Sequence, residues 1–241
     1  MRILALLTVL LSVSWASASQ DGGHHGGPQV SYIGFNTLKV DHKAHRVEAF
    51  KNYIATIKPI MERYGHTLDV YKVDHNSDPD HPVDFITFGT APTQEAFQAF
   101  FGDAEFQHAF PTLVENMEAH FVTFVDSVVV PEKRHGGYTM LSLDWLKDMD
   151  DGARQAFGEM AHKLVSLGTE KGASQTHRAA GVMASTGLTD DLAPAEAPSV
   201  VAVWHMTDPH GFLENEEVSA LNKKLAEHSA SYRSFWISSV D

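Results

Sequence analysis

Residues 84–107 read DFITFGTAPTQEAFQAFFGDAEFQ, and the fold predicted for the whole chain rests on this stretch. Its first part, Asp84–Thr90, is rich in aromatic and β-branched residues, a composition that favours a strand. Pro92 and Thr93 follow at once, and a proline beside a capping threonine is typical of the start of a helix. The stretch therefore predicts a strand that leads directly into a helix.

The pattern of strands and helices continues on both sides of this stretch. The sequence predicts strands over Val30–Val40, Thr67–Val73, Asp84–Thr90 and His120–Val130, and helices over about His42–Tyr64 and Thr93–Ala119. In the first helix, apolar residues recur at intervals of three and four, which places one stripe against the core. Gly65 is expected to cap this helix and Pro59 to kink it, while Gly102 and Pro111 should break the second helix.

The second half of the chain has the same element order, βαββαβ. Residues 131–137 are predicted to be a linker because they combine proline, glycine and charged residues. After them the sequence predicts strands over Tyr138–Trp145, Gln175–Ala184, Ser199–Met206 and Tyr232–Val240, and helices over about Asp151–Leu167 and Asp208–His228. We therefore predict one repeat over residues 30–130 and a second over residues 138–241, on element order rather than on sequence identity.

Two βαββαβ halves predict an α+β fold made of two tandem ferredoxin-like units. Each unit would carry its helices on one face of a four-stranded sheet and leave a large apolar patch on the other face. Packing the two sheets face to face would bury both patches and form a barrel-like pseudo-dimer around a cavity that suits a small ligand. The alternative is that each half pairs with another chain, so an oligomer stays open.

The N-terminal segment has the layout of a secretory signal peptide. A basic residue, Arg2, precedes a short apolar run, and the run ends in the small residues Ala16 and Ala18 that signal peptidase accepts. We predict a signal peptide over residues 1–18 and export to the periplasm or outside the cell, with an uncleaved membrane anchor as the alternative. Residues 19–29 are predicted to be a flexible lead-in, because they are rich in glycine and histidine.

The composition of the 241 residues excludes several classes of function. Acidic residues number 31 against 18 basic ones, and the net charge of −13 argues against a nucleic-acid partner. The chain has no cysteine, which excludes disulfides, thiolate zinc sites and cysteine nucleophiles. Beyond the signal segment, no stretch is long and apolar enough to predict stable insertion in a membrane.

A family resemblance appears within the stretch quoted above. Ala96–Gln107, AFQAFFGDAEFQ, resembles a motif of the dimeric α/β-barrel superfamily, in which alanine and an aromatic pair are followed by a small turn and then by Glu-aromatic-Gln. The preceding strand and Tyr64-Gly65 are similar to other parts of that pattern. The resemblance covers Val30–Val130, whereas over Tyr138–Val240 only the element order agrees and the signature is missing.

The resemblance implies a ferredoxin-like barrel fold but no single activity. The superfamily includes cofactor-free monooxygenases acting on quinol-like substrates, muconolactone-type isomerases, lyases, and haem proteins such as chlorite dismutases and dye-decolourising peroxidases. It also includes many small proteins of unknown role, which this chain resembles. Because one fold hosts many chemistries, the function has to be argued from particular residues.

Strand alternation indicates which side chains could face a cavity. We assign Tyr32 and Asn36 in the first half, and Tyr138 and Ser142 in the second, to the barrel interior as substrate-binding residues. The reason is that the alternate residues of these strands look better suited to packing against helices. The alternative is a dry interface in which these polar groups satisfy one another.

Two histidines of the second half are the candidate catalytic residues. His205 follows Trp204 in an apolar strand, where an imidazole could act as a general base, bind haem iron or only make a hydrogen bond within the core. His177 is the second candidate base. Its neighbour Arg178 suits an anionic group of a substrate, because a guanidinium forks onto carboxylates, and an exposed edge pair is the alternative.

No metal site is predicted, although several segments contain ligand types that suit zinc, copper or nickel. These segments are the pair His24 and His25, the pair His42 and His45, and the acidic loop from Asp74 to His81. The loop has no rigid element to fix its geometry, so a solvated turn is the better interpretation. The chain also lacks phosphate-binding, nucleophile-elbow and dinucleotide motifs. No cofactor is favoured, and non-covalent haem stays open.

The sequence alone leaves three possible functions. The first is a cofactor-independent oxygenase, isomerase or lyase that acts on a small molecule inside the barrel. The second is a non-catalytic exported module for binding or stress response. The third is a haem or metal protein of the same fold, with His205 as the axial ligand. Whether the protein is an enzyme stays open at this point.

Overall fold

The computed structural model describes residues 29–125, 129–131, 136–179, 182–187 and 197–240. The predicted signal peptide, residues 1–18, lies outside the described residues. Within the described ranges the chain is a mixed α+β protein with nine strands and six helices. None of the helices in these ranges is long and apolar enough to cross a membrane.

The elements follow one another in the predicted order, and the second helical stretch of each half is divided into two helices. The strands are β1 Val30–Leu38, β2 Thr67–Asn76, β3 Phe85–Ala91, β4 Met117–Val125, β5 Tyr138–Leu146, β6 Ala173–Ala179, β7 Val182–Gly187, β8 Val200–Met206 and β9 Ser229–Ser239. The helices are α1 Lys43–Arg63, α2 Gln94–Gly102, α3 Ala104–Asn116, α4 Asp151–Glu170, α5 Pro209–Leu213 and α6 Glu216–Ala226.

The chain divides into two compact units, and the first contains β1, β3, β4 and helices α1 to α3. Strand β1 is central in its sheet and pairs antiparallel with β3 and β4. Tyr32, for example, lies between Gly89 on β3 and Phe124 on β4. This arrangement of neighbouring strands is that of a ferredoxin-like βαββαβ unit.

The second unit contains β5, β6, β8, β9 and helices α4 to α6. Strand β5 is central and pairs antiparallel with β8 and β9, while β6 pairs with β8. This sheet has the same arrangement as that of the first unit, with β5 in the place of β1. The second unit also includes Tyr71–Pro82, in which the end of β2 pairs with β9.

The motif in residues 96–107 proves to be structural. Asp103 separates α2 from α3, and its Oδ1 accepts a hydrogen bond from the backbone N–H of Glu105 at 2.8 Å. Its Oδ2 accepts from the Tyr64 hydroxyl at 2.9 Å and from the Arg63 guanidinium at 3.0 Å. The end of α1 is therefore tied to the α2–α3 turn, which explains why Tyr64-Gly65 and this turn belong to one pattern.

The aromatic residues of the same motif form the core between α2 and α3. Phe97, Phe100 and Phe106 are each 3% exposed, and the rings of Phe100 and Phe106 lie 4.4 Å apart between centroids. The Gln107 side chain donates a hydrogen bond to the carbonyl of Phe101. The motif thus specifies helix packing.

Some local predictions need correction. Helix α1 continues through Pro59, and α3 continues through Pro111, so neither proline ends its helix. The second helical stretch does break after Gly102, as predicted, and the next residue, Asp103, caps α3. Strand β4 begins at Met117 rather than at His120, and the predicted strand over Gln175–Ala184 is divided into β6 and β7.

The prediction of which strand faces pack against the helices was wrong. The ring of Tyr32 lies 5.4 Å from that of Phe97 on α2, so the set with Tyr32 and Asn36 faces the helices. The alternate residues Ile33 and Phe35 are also buried, but on the sheet face that turns away from the helices. The helix-facing set mixes aromatic with small residues, and phenylalanines from α2 and α3 fill the gaps above the small ones. This filling is not visible in the sequence, so the set was assigned to the wrong sheet face.

Candidate functional site

The first unit contains a cavity of about 90 Å³ between its sheet and its helices. The floor is formed by alternate residues of β1 and β4 together with Thr87 of β3, and the roof by aromatic and aliphatic residues of α1, α2 and α3. Almost all of the lining is apolar. The polar side chains on the floor belong to Tyr32, Asn36, Thr87 and His120.

His120 and Asn36 form a hydrogen-bonded pair on this floor. They are directly opposite each other on β4 and β1, and His120 Nδ1 lies 2.7 Å from Asn36 Oδ1. The amide nitrogen of Asn36 donates to the carbonyl of Phe85 at 3.2 Å, which assigns the amide oxygen as the acceptor facing the imidazole. The proton therefore lies on Nδ1 of His120, and Nε2 carries a lone pair.

Burial controls the protonation of the imidazole. Because the charged form would be poorly solvated, burial lowers the pKa of His120 from 6.5 to about 4. At neutral pH the ring is therefore uncharged. Nε2 makes no hydrogen bond to another described residue, so it is available as an acceptor to a molecule in the cavity that His120 lines.

Two glycines make room for this arrangement. A Cβ on Gly89 would lie 2.1 Å from the Tyr32 ring, so the ring lies flat across the bare backbone of β3. A Cβ on Gly34 would lie 2.4 Å from the Thr87 hydroxyl and 3.6 Å from the His120 ring. Glycine at both positions lets the floor side chains spread across the sheet instead of pointing into the helices.

Tyr53 on α1 borders the cavity and also a groove on the outer side of α1 and α3. Its ring is 6% exposed, and burial raises the pKa of its hydroxyl, as it does for Tyr32. Both phenols are therefore uncharged hydrogen-bond donors at physiological pH. Tyr53 is therefore shared by the lining of the cavity and that of the groove.

The second unit contains a larger cavity, of about 460 Å³, between its sheet and helices α4 to α6. Ser142 lies on its floor, where its hydroxyl donates to the Ala202 carbonyl at 3.3 Å. Tyr138 is on the same strand face but 57% exposed, and its ring packs edge-on against Trp236 at 6.2 Å. Of the two residues predicted here, one lines the cavity and one lies outside it.

The two candidate catalytic histidines do not line either cavity. On β8, residues Val200, Ala202 and Trp204 face the helices, and His205 is on the opposite strand face. His177 pairs with Val203, which puts it on the same face as His205. The side chain of Arg178 lies outside the described residues. The structure therefore does not bring these two histidines together with Ser142 around a cavity.

The side chains that line the two cavities do not fit haem, the cofactor that the family resemblance leaves possible. The first cavity is too small for a tetrapyrrole, and the described side chains that line the second include no histidine and no lysine or arginine that could pair with the propionates. The carboxyl group of Asp144 would instead repel them. Axial ligation by His205 is therefore not supported by its position.

The metal interpretations find no support in the described part of the chain. No group of three or more His, Asp or Glu side chains is placed there to hold a metal ion. In the acidic loop, Asp78 instead pairs with the Arg233 guanidinium at 2.9 Å and with the His81 ring at 2.9 Å. The pair His24 and His25 lies outside the described residues.

Sequence reasoning missed His120, Tyr53 and Asp144 as site residues. His120 could be placed on the same strand face as Val122 and Phe124 by alternation, but its partner Asn36 follows only from the β1–β4 register. The register depends on pairing between strands that are far apart in the chain, and this pairing cannot be read from the sequence. Tyr53 belongs to the apolar stripe of α1, where nothing distinguishes it from a core residue.

Comparisons with known proteins identify the fold. No family model matches the chain, and no curated protein matches it. Among solved structures, it resembles an anthrone oxidase-like protein at a TM-score of 0.56 and 11% identity, covering 89% of this chain and 92% of that one. It also resembles a chlorite dismutase variant from Candidatus Nitrospira defluvii, at a TM-score of 0.52 and 15% identity, covering 87% and 91%.

A third similar structure is a proposed monooxygenase from Fusobacterium nucleatum, with a TM-score of 0.50 and 8% identity over 90% of this chain and 94% of that one. At these identities the likeness shows the fold alone. It confirms the dimeric α/β-barrel, ferredoxin-like fold that the motif in residues 84–107 predicted, with tandem units in one chain.

Proposed function

We propose that the first unit binds a small uncharged molecule with an apolar body and one hydroxyl group. The observation that supports this proposal is the state of the His120 imidazole. The ring is neutral in an apolar cavity, and its Nδ1 donates its proton in a hydrogen bond to Asn36. A ligand hydroxyl donating to Nε2 would satisfy the one strong acceptor on the cavity floor. Leaving such a group unpaired in an apolar site is costly, so the site favours a ligand that can donate.

Size restricts the ligand further. An engineered apolar cavity of about 150 Å³ takes one benzene molecule. The cavity in the first unit is smaller, about 90 Å³, so it takes one small ring only if bordering side chains such as Tyr53 move toward the outer groove. Aromatic rings above the floor, from Phe97 and Phe101, favour a flat ligand.

Calorimetric titration with phenol and with benzene tests the proposal, because the two ligands differ by one hydroxyl. Phenol should bind about tenfold more tightly, the effect of one hydrogen bond in a site without water. His120→Asn should abolish this preference, because asparagine keeps the bond to Asn36 but offers nothing at the place of Nε2. Thr87→Val removes another hydroxyl from the floor and should retain the preference. Equal affinity for phenol and benzene would contradict the proposal.

A cofactor-independent oxygenase is the second candidate function, and the same neutral Nε2 favours it. In that case Nε2 would accept the hydroxyl proton and leave an electron-rich anion to react with oxygen. With a pKa of about 4 for His120 and about 10 for a simple phenol, this transfer is uphill by about 8 kcal/mol before ion pairing. Only acidic enols would therefore be substrates, and oxygen uptake with an acidic cyclic enol, lost in His120→Asn, tests this candidate.

We also propose that the protein is exported after cleavage between Ala18 and Ser19. The support is the order of basic, apolar and small residues in residues 1–18. Expression of the full chain in a bacterium with a periplasm, followed by N-terminal sequencing of the soluble periplasmic fraction, tests it. The expected first residue is Ser19, and recovery of the chain with Met1 still attached in the cytoplasmic fraction would contradict export.

A further inference from the structure

We propose that the second unit carries a separate binding site, in which the Asp144 carboxylate binds the ammonium group of a small organic amine and an aromatic floor holds the apolar body of that amine. This site is independent of the function proposed for the first unit, and no residue lines both cavities.

The floor of the cavity is built as three rows across the sheet, set by strand register. The first row is Trp204–Met140–Trp236, the second is Ala202–Ser142–Ser234, and the third is Val200–Asp144–Tyr232. All nine residues line the cavity. Because alternate residues on a strand are about 6.6 Å apart, the tryptophan row and the Asp144 row are about 13 Å apart. The floor therefore changes from apolar to polar over the length of one small ligand.

The middle row is what creates the space. Ala202, Ser142 and Ser234 have small side chains, so the helices that cover the sheet are held off by the larger rows on either side. The resulting volume of about 460 Å³ lies within the range of ordinary small-molecule sites. The cover is mostly apolar: from α4 it includes Phe157 and Leu164, and α6 adds the polar side chain of Asn222.

The charge in this cavity has no countercharge among the described side chains. Asp144 Oδ1 is buried and has no hydrogen-bond partner among the described residues. None of the described side chains that line the cavity belongs to lysine, arginine or histidine. Burial raises the pKa of the Asp144 carboxyl, with Ser229 opposing the effect through a side-chain hydrogen bond. An ammonium group would supply both the missing positive charge and the missing donor.

The aromatic side chains favour a cation over a merely polar ligand. Trp204 and Trp236 line the apolar end, and Tyr232 lies next to Asp144 at the polar end, where it is 51% exposed and marks the mouth. Aromatic faces attract ammonium groups and also pack against apolar bodies. A carboxylic acid ligand would face the Asp144 charge without a compensating base among the described side chains.

Titration with 2-phenylethylamine, 2-phenylethanol and 3-phenylpropionate tests the site, with tryptophan fluorescence as the readout because Trp204 and Trp236 line it. The amine should bind in the micromolar to millimolar range, and about 10- to 100-fold more tightly than the alcohol of the same body. The carboxylate should not bind. Asp144→Asn should reduce the affinity for the amine to that for the alcohol. The matched control Asp148→Asn, at an exposed position, should leave the affinity for the amine unchanged.

Ala202→Leu provides a second variant that does not alter charge. Leucine there would fill the middle row, so it should abolish binding of both the amine and the alcohol. His120→Asn in the first unit should change neither. Absence of amine binding, equal binding of amine and alcohol, or a preference for the amine that survives in Asp144→Asn or Ala202→Leu would overturn the proposal.

Discussion

The buried imidazole of His120 should make the protein lose stability as the pH falls below neutrality. Burial lowers the folded-state pKa to about 4, whereas the unfolded value is 6.5. Above pH 6.5 the imidazole is neutral in both the folded and the unfolded state, so it adds no pH dependence to the unfolding free energy. Between pH 6.5 and about 4 the unfolded state binds a proton that the folded state refuses, so acid favours unfolding.

The magnitude follows from the size of the shift. At 1.36 kcal/mol per pKa unit, a shift from 6.5 to about 4 corresponds to about 3 kcal/mol of unfolding free energy lost by pH 4. His120→Asn removes this pH-dependent contribution to the unfolding free energy, because asparagine does not titrate and can still donate to Asn36. Its unfolding free energy should therefore fall less steeply with pH than that of the unmodified protein, by about 3 kcal/mol over this range.

Urea denaturation followed by circular dichroism, at half-unit steps from pH 7.5 to 4, measures the difference. His45→Asn, at an exposed position on α1, is the control and should follow the unmodified protein. The buried His66 also has a lowered pKa from burial, but it is present in all three proteins and cancels. Parallel stability curves for the unmodified protein and His120→Asn would refute the assignment of a neutral buried imidazole.

Three further predictions concern the fold around the site. Gly89→Ala should lower the unfolding free energy by about 1–3 kcal/mol in urea titrations, because its Cβ would meet the Tyr32 ring; an unchanged midpoint would mean that the ring does not lie there. Phe97→Ala should cost about 3–5 kcal/mol in the same assay, and a smaller loss would show that the aromatic cluster collapses around the gap. Asp103→Ala should lower the melting temperature more than Asp103→Asn, since asparagine also caps a helix; an equal loss would point to the Arg63 and Tyr64 contacts instead of the cap.

Much of the fold could be predicted because its signals are local. The aromatic and β-branched composition of Asp84–Thr90 and the cap at Thr93 identify β3 and the start of α2 with little help from tertiary structure. The Thr93 hydroxyl does accept from the Ala96 N–H at 3.2 Å. Gly65 likewise ends α1 at a positive φ of 73°, a backbone conformation that glycine adopts freely. Element order followed from such signals.

Prolines were misread because their cost depends on the surroundings. A proline inside a helix removes one hydrogen bond, and we expected Pro59 and Pro111 to end or kink their helices. Both helices continue, since residues on either side are packed into the core of the first unit, among them Ile57, Ile60 and Leu113. Tertiary packing therefore outweighed the local penalty.

The candidate site was less predictable than the fold because it depends on register and on which strand face meets the helices. Tyr32 and Asn36 were identified as cavity residues, but their cavity lies under the helices rather than inside the barrel. His205 and His177 stood out by residue type alone, and strand alternation places them away from both cavities. His120 gained its meaning only through the pairing of β1 with β4.

Nitrogen NMR of the His120 imidazole during titration with phenol tests most directly whether Nε2 is a free acceptor in the cavity. We expect an unprotonated Nε2 resonance at neutral pH, which moves toward the hydrogen-bonded position as phenol fills the cavity and stays in place when benzene is added instead. The matched variant His120→Asn identifies the resonance by its loss. A ring that is doubly protonated at neutral pH, or an Nε2 resonance that does not move at saturating phenol, would contradict a neutral imidazole that accepts a hydrogen bond from the ligand.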